Sequence, residues 1–323
     1  MTAYAPLPAD RRPAIEHALS TAFGTADLDG VVRLTGGLSG AGIFRIRVGG
    51  VAYLLRIEGA RDVFRDPHRG YACLRIAAEA CLSPRVWFAD PVEGIAILDF
   101  VAEQPFIGDR SARLTELAQS VRILHQTPGF PPLMDYLDGL LAVTAPFRPL
   151  PVLAQVFARM DETLAAYRAL PADVVSSHND LNPRNVLFDG RRQWLVDWES
   201  AFACDRYVDL AALANLWTGD ETEVAQMLGV YFNRPPTGAE RARLSLMRRL
   251  NHVFYGAMFL GGVLAEQPHA LPRDLEAPDV RTLHRRMAEG AFALDPVAGR
   301  LTYAKAQFAA ALGFSLAPDR LLG

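Results

Sequence analysis

Between His178 and Glu199 the chain reads HNDLNPRNVLFDGRRQWLVDWE, gathering a histidine, three asparagines and three aspartates into a short span. Asp180 and Asn185 stand five apart on either side of Pro183, which argues against a regular helix and for an exposed loop. The run QWLVDWE then reads as a short strand, whose two-residue period would send Asp197 and Glu199 to the same side. If loop and strand form a hairpin, Asp180, Asn185 and Asp197 converge on one small volume. An oxygen-rich, acidic pocket of that kind suits a hard cation such as Mg2+, which favours carboxylate, amide and phosphate oxygens. Phosphoryl transfer is the chemistry such a metal commonly serves. The competing reading makes Asp180 and Asn185 turn caps and Asp197 a solvated strand end, but it leaves the ordered set unexplained. His178 reads as a scaffold histidine bonded to backbone rather than as a catalyst. Glu199 is open between a second metal, the substrate and a charge on the rim.

Such a loop needs elements to hold it. Upstream, residues 11–23 read as a helix, and VVRLTGGLSGAGIFRIRVGGVAYLLRIEG as three short antiparallel strands with a hairpin at Gly49-Gly50. A helix at about His68–Ala80 follows, then the strands RVWFAD and GIAILDFV with a turn at 91–94. After Phe100 the pattern turns helical: Leu114, Leu117, Val121 and Leu124 repeat at helical spacing, as do the apolar residues of VLAQVFARMDETLAAYRAL. Beyond the HND stretch, helices are expected at about 209–217, 221–232, 239–265 and 303–312. The fold class is therefore α+β, with a small β-rich lobe over residues 1–102 and a larger helical lobe over 103–323.

Composition excludes other classes. The 33 basic and 36 acidic residues give a net charge of -3 with no like-charged block, so no nucleic-acid partner is indicated. Three cysteines in no metal-binding or disulfide pattern suit a reducing cytoplasm. The apolar run 253–265 falls short of the ~20 residues of a membrane span, and no membrane partner is expected. Of the 33 basic residues only Lys305 is a lysine, so a phosphate-contacting cation early in the chain must be an arginine.

The order His178, Asp180, Asn185, then Asp197 matches the kinase catalytic loop H-x-D-x-x-x-x-N with its following metal-binding aspartate. With GGLSGAGIFRI, YLLRIEG, LVDWESA and DRYVDLA, the first 220 residues resemble the choline/ethanolamine kinase and aminoglycoside phosphotransferase superfamily, whose fold is similar to that of protein kinases. The resemblance implies a two-lobed, ATP- and Mg2+-dependent kinase of small-molecule alcohols. Asp180 would deprotonate the acceptor, Asn185 and Asp197 would ligate Mg2+, and Asp209 would buttress the helical lobe. It places ATP in the β-rich lobe, with Arg56 on the phosphates, the glycine loop Gly36, Gly37, Ser39, Gly40 and Gly42 offering backbone N–H groups, and Asp99 to Val101 meeting adenine. The glutamate that pairs with the strand cation in protein kinases has no counterpart where it is expected, at Arg69, Gly70 or Tyr71, and Glu79 lies too far along the helix.

The H-N-D-L form is closer to choline kinases than to aminoglycoside enzymes, which more often carry glycine between histidine and aspartate. The expected acceptor is a small cationic amino alcohol, with acids (Asp205, Asp220, Glu221, Glu223) and aromatics (Trp198, Trp217, Tyr231, Phe232, Phe254, Tyr255) offered for an ammonium group. The alternatives are an aminoglycoside or other small-molecule phosphotransferase, or a catalytically degenerate nucleotide-binding module. A protein kinase is disfavoured, because no A-P-E follows Asp197.

Overall fold

The computed structural model describes residues 4–34, 40–106 and 108–313. The chain divides into two compact units, one of Met1–Leu133 with Val175–Ala203, the other of Met134–Val174 with Cys204–Gly323. The class is α+β, as the patterning implied.

The first unit is built on a five-stranded antiparallel sheet, β1 (Gly30–Leu34), β2 (Gly42–Val48), β3 (Val51–Ile57), β4 (Val86–Asp90) and β5 (Ile95–Asp99), in the order β1-β2-β3-β5-β4. Alternation decides its faces. Phe44, Ile46 and Val48 on β2 and Tyr53, Leu55 and Ile57 on β3 are buried in one core with Ile15 and Leu19 of α1 (Arg12–Phe23). Arg45 and Arg47 fall on the exposed alternate positions. On β3 the same two-residue period gives Leu54 and Arg56 the opposite face. The β2–β3 turn is Gly49-Gly50, both with positive φ (56° and 81°), the backbone that glycine adopts without a steric cost.

The helix α2 (Pro67–Glu79) starts where Asp66 caps it, accepting from the His68 N–H at 3.0 Å with proline in the first turn. After α3 (Arg110–Leu124), the chain leaves this unit and re-enters it in the short strand β6 (Val174–Ser177). It then forms the hairpin β7 (Val186–Phe188) and β8 (Gln193–Leu195), with Val186 opposite Leu195, and departs through β9 (Phe202–Asp205).

The second unit is helical: α4 (Tyr136–Thr144), α5 (Ala154–Arg168), α6 (Arg206–Trp217), α7 (Glu221–Phe232), α8 (Gly238–Glu266), α9 (Val280–Ala288) and α10 (Val297–Leu312). Its long helix α8 begins in a capping box, Thr237 with Glu240, and buries Leu244, Met247, Leu250, Val253, Ala257 and Leu260. Asp209 on α6 is fully buried in this unit. Among the described residues no helix is long and apolar enough to cross a membrane.

Candidate active site

The HND stretch is held from several directions within the first unit. His178 is fully buried, its Nε2–H donating to the Val196 carbonyl at 3.0 Å and its ring 4.6 Å from that of Trp198. This is the scaffold role its sequence context suggested. Asn179 sits in left-handed backbone at φ 62°, a conformation open to glycine and asparagine. The asparagine adds ties that glycine lacks, donating to the Ser200 carbonyl at 3.1 Å and accepting from the Ser177 hydroxyl at 2.8 Å.

Asp180 is then gripped by two asparagines. Asn182 caps the single 3-10 turn Pro183–Asn185 and donates to Asp180 Oδ1 at 3.0 Å, while Asn185 donates to Asp180 Oδ2 and to its carbonyl, each at 2.9 Å. Burial raises the Asp180 pKa above the ordinary aspartate value; the Asn182 bond and His178 oppose the rise, and the nearby Asp197 charge adds to it. A carboxylate so oriented, and more basic than usual, is suited to accept a proton.

Asp197 does not stand on a strand. β8 ends at Leu195, and Asp197 has left-handed backbone, φ 67° and ψ 70°, before the 3-10 turn Trp198–Ser200. Non-glycine residues held there carry strain, which is concentrated at functional sites. The expected convergence of Asp197 and Glu199 nevertheless holds by another route, since both reach one guanidinium. Arg56 Nη1 lies 3.1 Å from Asp197 Oδ1, and Nη2 lies 2.9 Å from Glu199 Oε2. A third acid completes the set: Glu58, two residues along from Arg56, accepts from its Nε at 2.7 Å and its Nη2 at 3.3 Å. Burial works against the charge of Arg56, yet Asp197, Glu58 and Glu199 hold its pKa well above the usual value. Glu199 is raised by burial and by Asp197, against the pull of Arg56.

The place on α2 where a kinase glutamate was sought is informative. Arg69 is buried and donates to the carbonyls of Glu199 (2.7 Å), Ala201 (3.2 Å), Val63 (2.7 Å) and Phe64. It therefore clamps the backbone that follows Asp197. A Cβ added to Gly70 would come to 3.7 Å from the Trp198 carbonyl oxygen. Tyr71 is buried, and Arg56 has its acid just past the end of its own strand instead. Sequence reasoning missed both Arg69 and Glu58. Arg69→Met, which keeps the stem and takes the guanidinium from four carbonyls, of which Ala201 alone keeps a second donor in the Cys73 thiol, should lower stability by about 3 kcal/mol in urea unfolding. An unchanged midpoint would refute the clamp.

Gly40 has φ 70°, and a Cβ on Gly59 would lie 2.7 Å from the Gly40 carbonyl, so the end of the glycine loop packs backbone to backbone against the residue after Glu58. Gly42 opens β2; Gly36, Gly37 and Ser39 lie outside the described residues. Asp99 ends β5 with its N–H on the Arg85 carbonyl at 2.9 Å and its carboxylate accepting from Trp87 Nε1 at 2.7 Å. Val101 follows in backbone of no regular type.

Most groups offered for an ammonium already have work. In the second unit, Asp205 accepts from Arg243 and Tyr167, Glu221 pairs with Arg248, Asp220 caps α7 and Glu223 accepts from the Gly219 N–H. Arg206 and Arg234 lie over the rings of Tyr231 and Phe232, Trp217 is buried, and Trp198 packs on His178 in the first unit. Phe254 and Tyr255 are half-buried, Phe254 with its ring 5.4 Å from that of Tyr136.

Among the described residues no three His, Cys, Asp or Glu side chains form a metal cage. One amide and one or two carboxylates are nonetheless a donor set that fits Mg2+, which keeps water and substrate phosphate for the rest of its shell. Asp197 already faces a cation, the Arg56 guanidinium.

The family model described as "Phosphotransferase enzyme family" matches residues 30–245. The chain belongs to this family. As a member of the phosphotransferase enzyme family it is an enzyme that transfers phosphoryl groups. Comparison with curated proteins gives no match. Among solved structures, a choline/ethanolamine kinase family protein from Mesorhizobium loti resembles this phosphotransferase with a TM-score of 0.70 at 21% identity, over 96% of this chain and 99% of that one. The choline kinase LicA of Streptococcus pneumoniae gives 0.64 at 15%, over 88% and 99%. The spectinomycin phosphotransferase APH(9)-Ia, in complex with ADP and spectinomycin, gives 0.53 at 14%, over 91% and 98%. At these identities the likeness is one of fold, and the kinase-like α+β class read from the sequence is the fold of this phosphotransferase.

Proposed function

We propose that this phosphotransferase transfers the γ-phosphoryl group of ATP to the hydroxyl of a small amino alcohol of the choline or ethanolamine kind. The observation that carries the reading is the Asp180 carboxylate, half-buried, raised in pKa and held by Asn182 and Asn185 in the same compact unit as the Arg56–Asp197 pair. Asp180 orients the acceptor hydroxyl and takes its proton as the oxygen attacks. Arg56 contacts the phosphates, with the backbone around Gly40 and Gly42 beside them, and the segment from Asp99 to Val101 meets the adenine. Asn185 and Asp197 are the residues that would hold Mg2+, and Glu199 is available to a second ion; bound there, the metal neutralises charge on the transferring phosphoryl group.

The nucleotide assignment is supported by the family. The amino-alcohol assignment is supported by Asn179 in the HND stretch and by the choline and ethanolamine kinases among the structural relatives. It draws no support from the acids of the second unit, which are engaged elsewhere. The test is a panel of acceptors with labelled ATP and Mg2+. Choline, ethanolamine and close analogues should take the label; turnover confined to aminoglycosides, or to neutral sugars, would overturn the acceptor class. Nucleotide binding without transfer to any acceptor would favour a degenerate module.

A further inference from the structure

A guanidinium shared by three carboxylates cannot serve phosphate without giving something up. Arg56 uses Nη1 on Asp197 and Nη2 on Glu199, the edges that a phosphate would need, while its Nε side rests on Glu58. Asp197 is also the carboxylate proposed for the metal, and Glu199 is available to a second ion. Of the three acids Glu58 is the one not assigned to a metal, and the buried Tyr71 hydroxyl faces it, its pKa raised by burial and by the Glu58 charge. Glu58 sits two residues from Arg56, just past the end of β3 at Ile57, and its carboxylate reaches back to the Arg56 guanidinium. Its backbone is fixed by the N–H bond to the Gly94 carbonyl at 2.8 Å and by Gly59, which packs against Gly40. The opposing helix α2 has no acid at this level, only Arg69, Gly70 and the buried Tyr71.

We propose that Glu58 is the positioning residue for Arg56: it retains the guanidinium by its Nε edge while Asp197 and Glu199 release the Nη edges to the nucleotide phosphates. The residue just past β3 thus supplies the carboxylate that protein kinases take from the helix. This inference rests on the assignment of Arg56 as the phosphate contact.

Calorimetric titration of ADP and ATP into the full chain, with Glu58→Gln, Glu58→Asp, Arg56→Gln and the Arg56→Gln/Glu58→Gln double variant, tests it. Glu58→Gln should weaken nucleotide binding about tenfold, the scale of one charge-assisted hydrogen bond. The KM for ATP should rise by a similar factor while kcat at saturating ATP changes much less. Glu58→Asp should recover part of the loss. Because Glu58 acts through Arg56, the double variant should bind no worse than Arg56→Gln alone. Urea unfolding of each variant shows whether it is folded, and Glu58→Asp, which keeps the charge, carries the test if Glu58→Gln folds poorly. Wild-type nucleotide affinity in Glu58→Gln, additive losses in the double variant, or a fall in kcat at unchanged KM would each overturn the proposal. A wild-type chain that binds no nucleotide would instead remove the phosphate assignment of Arg56, a failure distinct from that of Glu58.

Discussion

Replacing Asp180 with asparagine should cut phosphoryl transfer by about 10²- to 10⁴-fold while leaving nucleotide binding intact, since a positioned general base contributes on that scale and touches only the acceptor. The pair of measurements is steady-state ADP release and calorimetric binding of ADP. A variant that retains most of its turnover would show that another group takes the proton. The pH profile adds a second reading. Asp180 works as a base only when ionised, and burial raises its pKa. Activity should therefore fall as pH drops through a value above the ~3.9 of an ordinary aspartate, and the acid limb of kcat/KM, which reports the free enzyme, is where this appears. The Asp197 charge contributes to that rise, so removing it should move the limb to lower pH.

Asp197 should be the other position of large effect, and its variants should separate chemistry from conformation. Asp197→Asn keeps a residue that tolerates left-handed backbone but removes the charge, and should reduce transfer by about 10³-fold, equivalent to several kcal/mol of lost charge stabilisation. Asp197→Ala should lose the same activity and, in addition, about 1–2 kcal/mol of stability, the cost of placing alanine at φ 67°. Urea unfolding of both variants makes the comparison. Equal stability would mean that the backbone relaxes at this residue, and undiminished transfer in Asp197→Asn would remove it from the metal set.

The sheet was legible because period-two alternation on β2 and β3 and the Gly49-Gly50 turn are local signals; β1 to β4 end within a residue of the sequence expectation, whereas β5, buried at four successive positions, stops at Asp99, two residues short of the end of GIAILDFV. The helices α4 and α9 were not. Each has nine residues and its start is marked by a single aspartate, Asp135 or Asp279, which in sequence looks like any loop acid. At the site, spacing singled out Asp180, Asn185 and Asp197 as candidates, whereas the geometry around them is not written in any short window. Asp197 looked like a strand residue because QWLVDWE alternates; its left-handed turn follows from long-range ties such as the Arg69 clamp, which no short window contains. Arg69 itself reads as one more solvated helix arginine. Glu58 is hidden for a different reason: the protein-kinase pattern points to an acid on the helix, whereas the acid that meets Arg56 stands two residues further along the chain, just past the end of β3.

The proposed assignment of Arg56 to the phosphates would put a guanidinium where many kinases place a primary amine, with a practical outcome for profiling reagents. Nucleotide-tethered acylating probes work by capturing a lysine beside the phosphates, and here the single side-chain amine is Lys305, on α10 and bonded to Asp274 at 2.5 Å. Such probes should pass this protein by, and occupancy assays would have to target arginine with dicarbonyls or avoid covalent capture altogether.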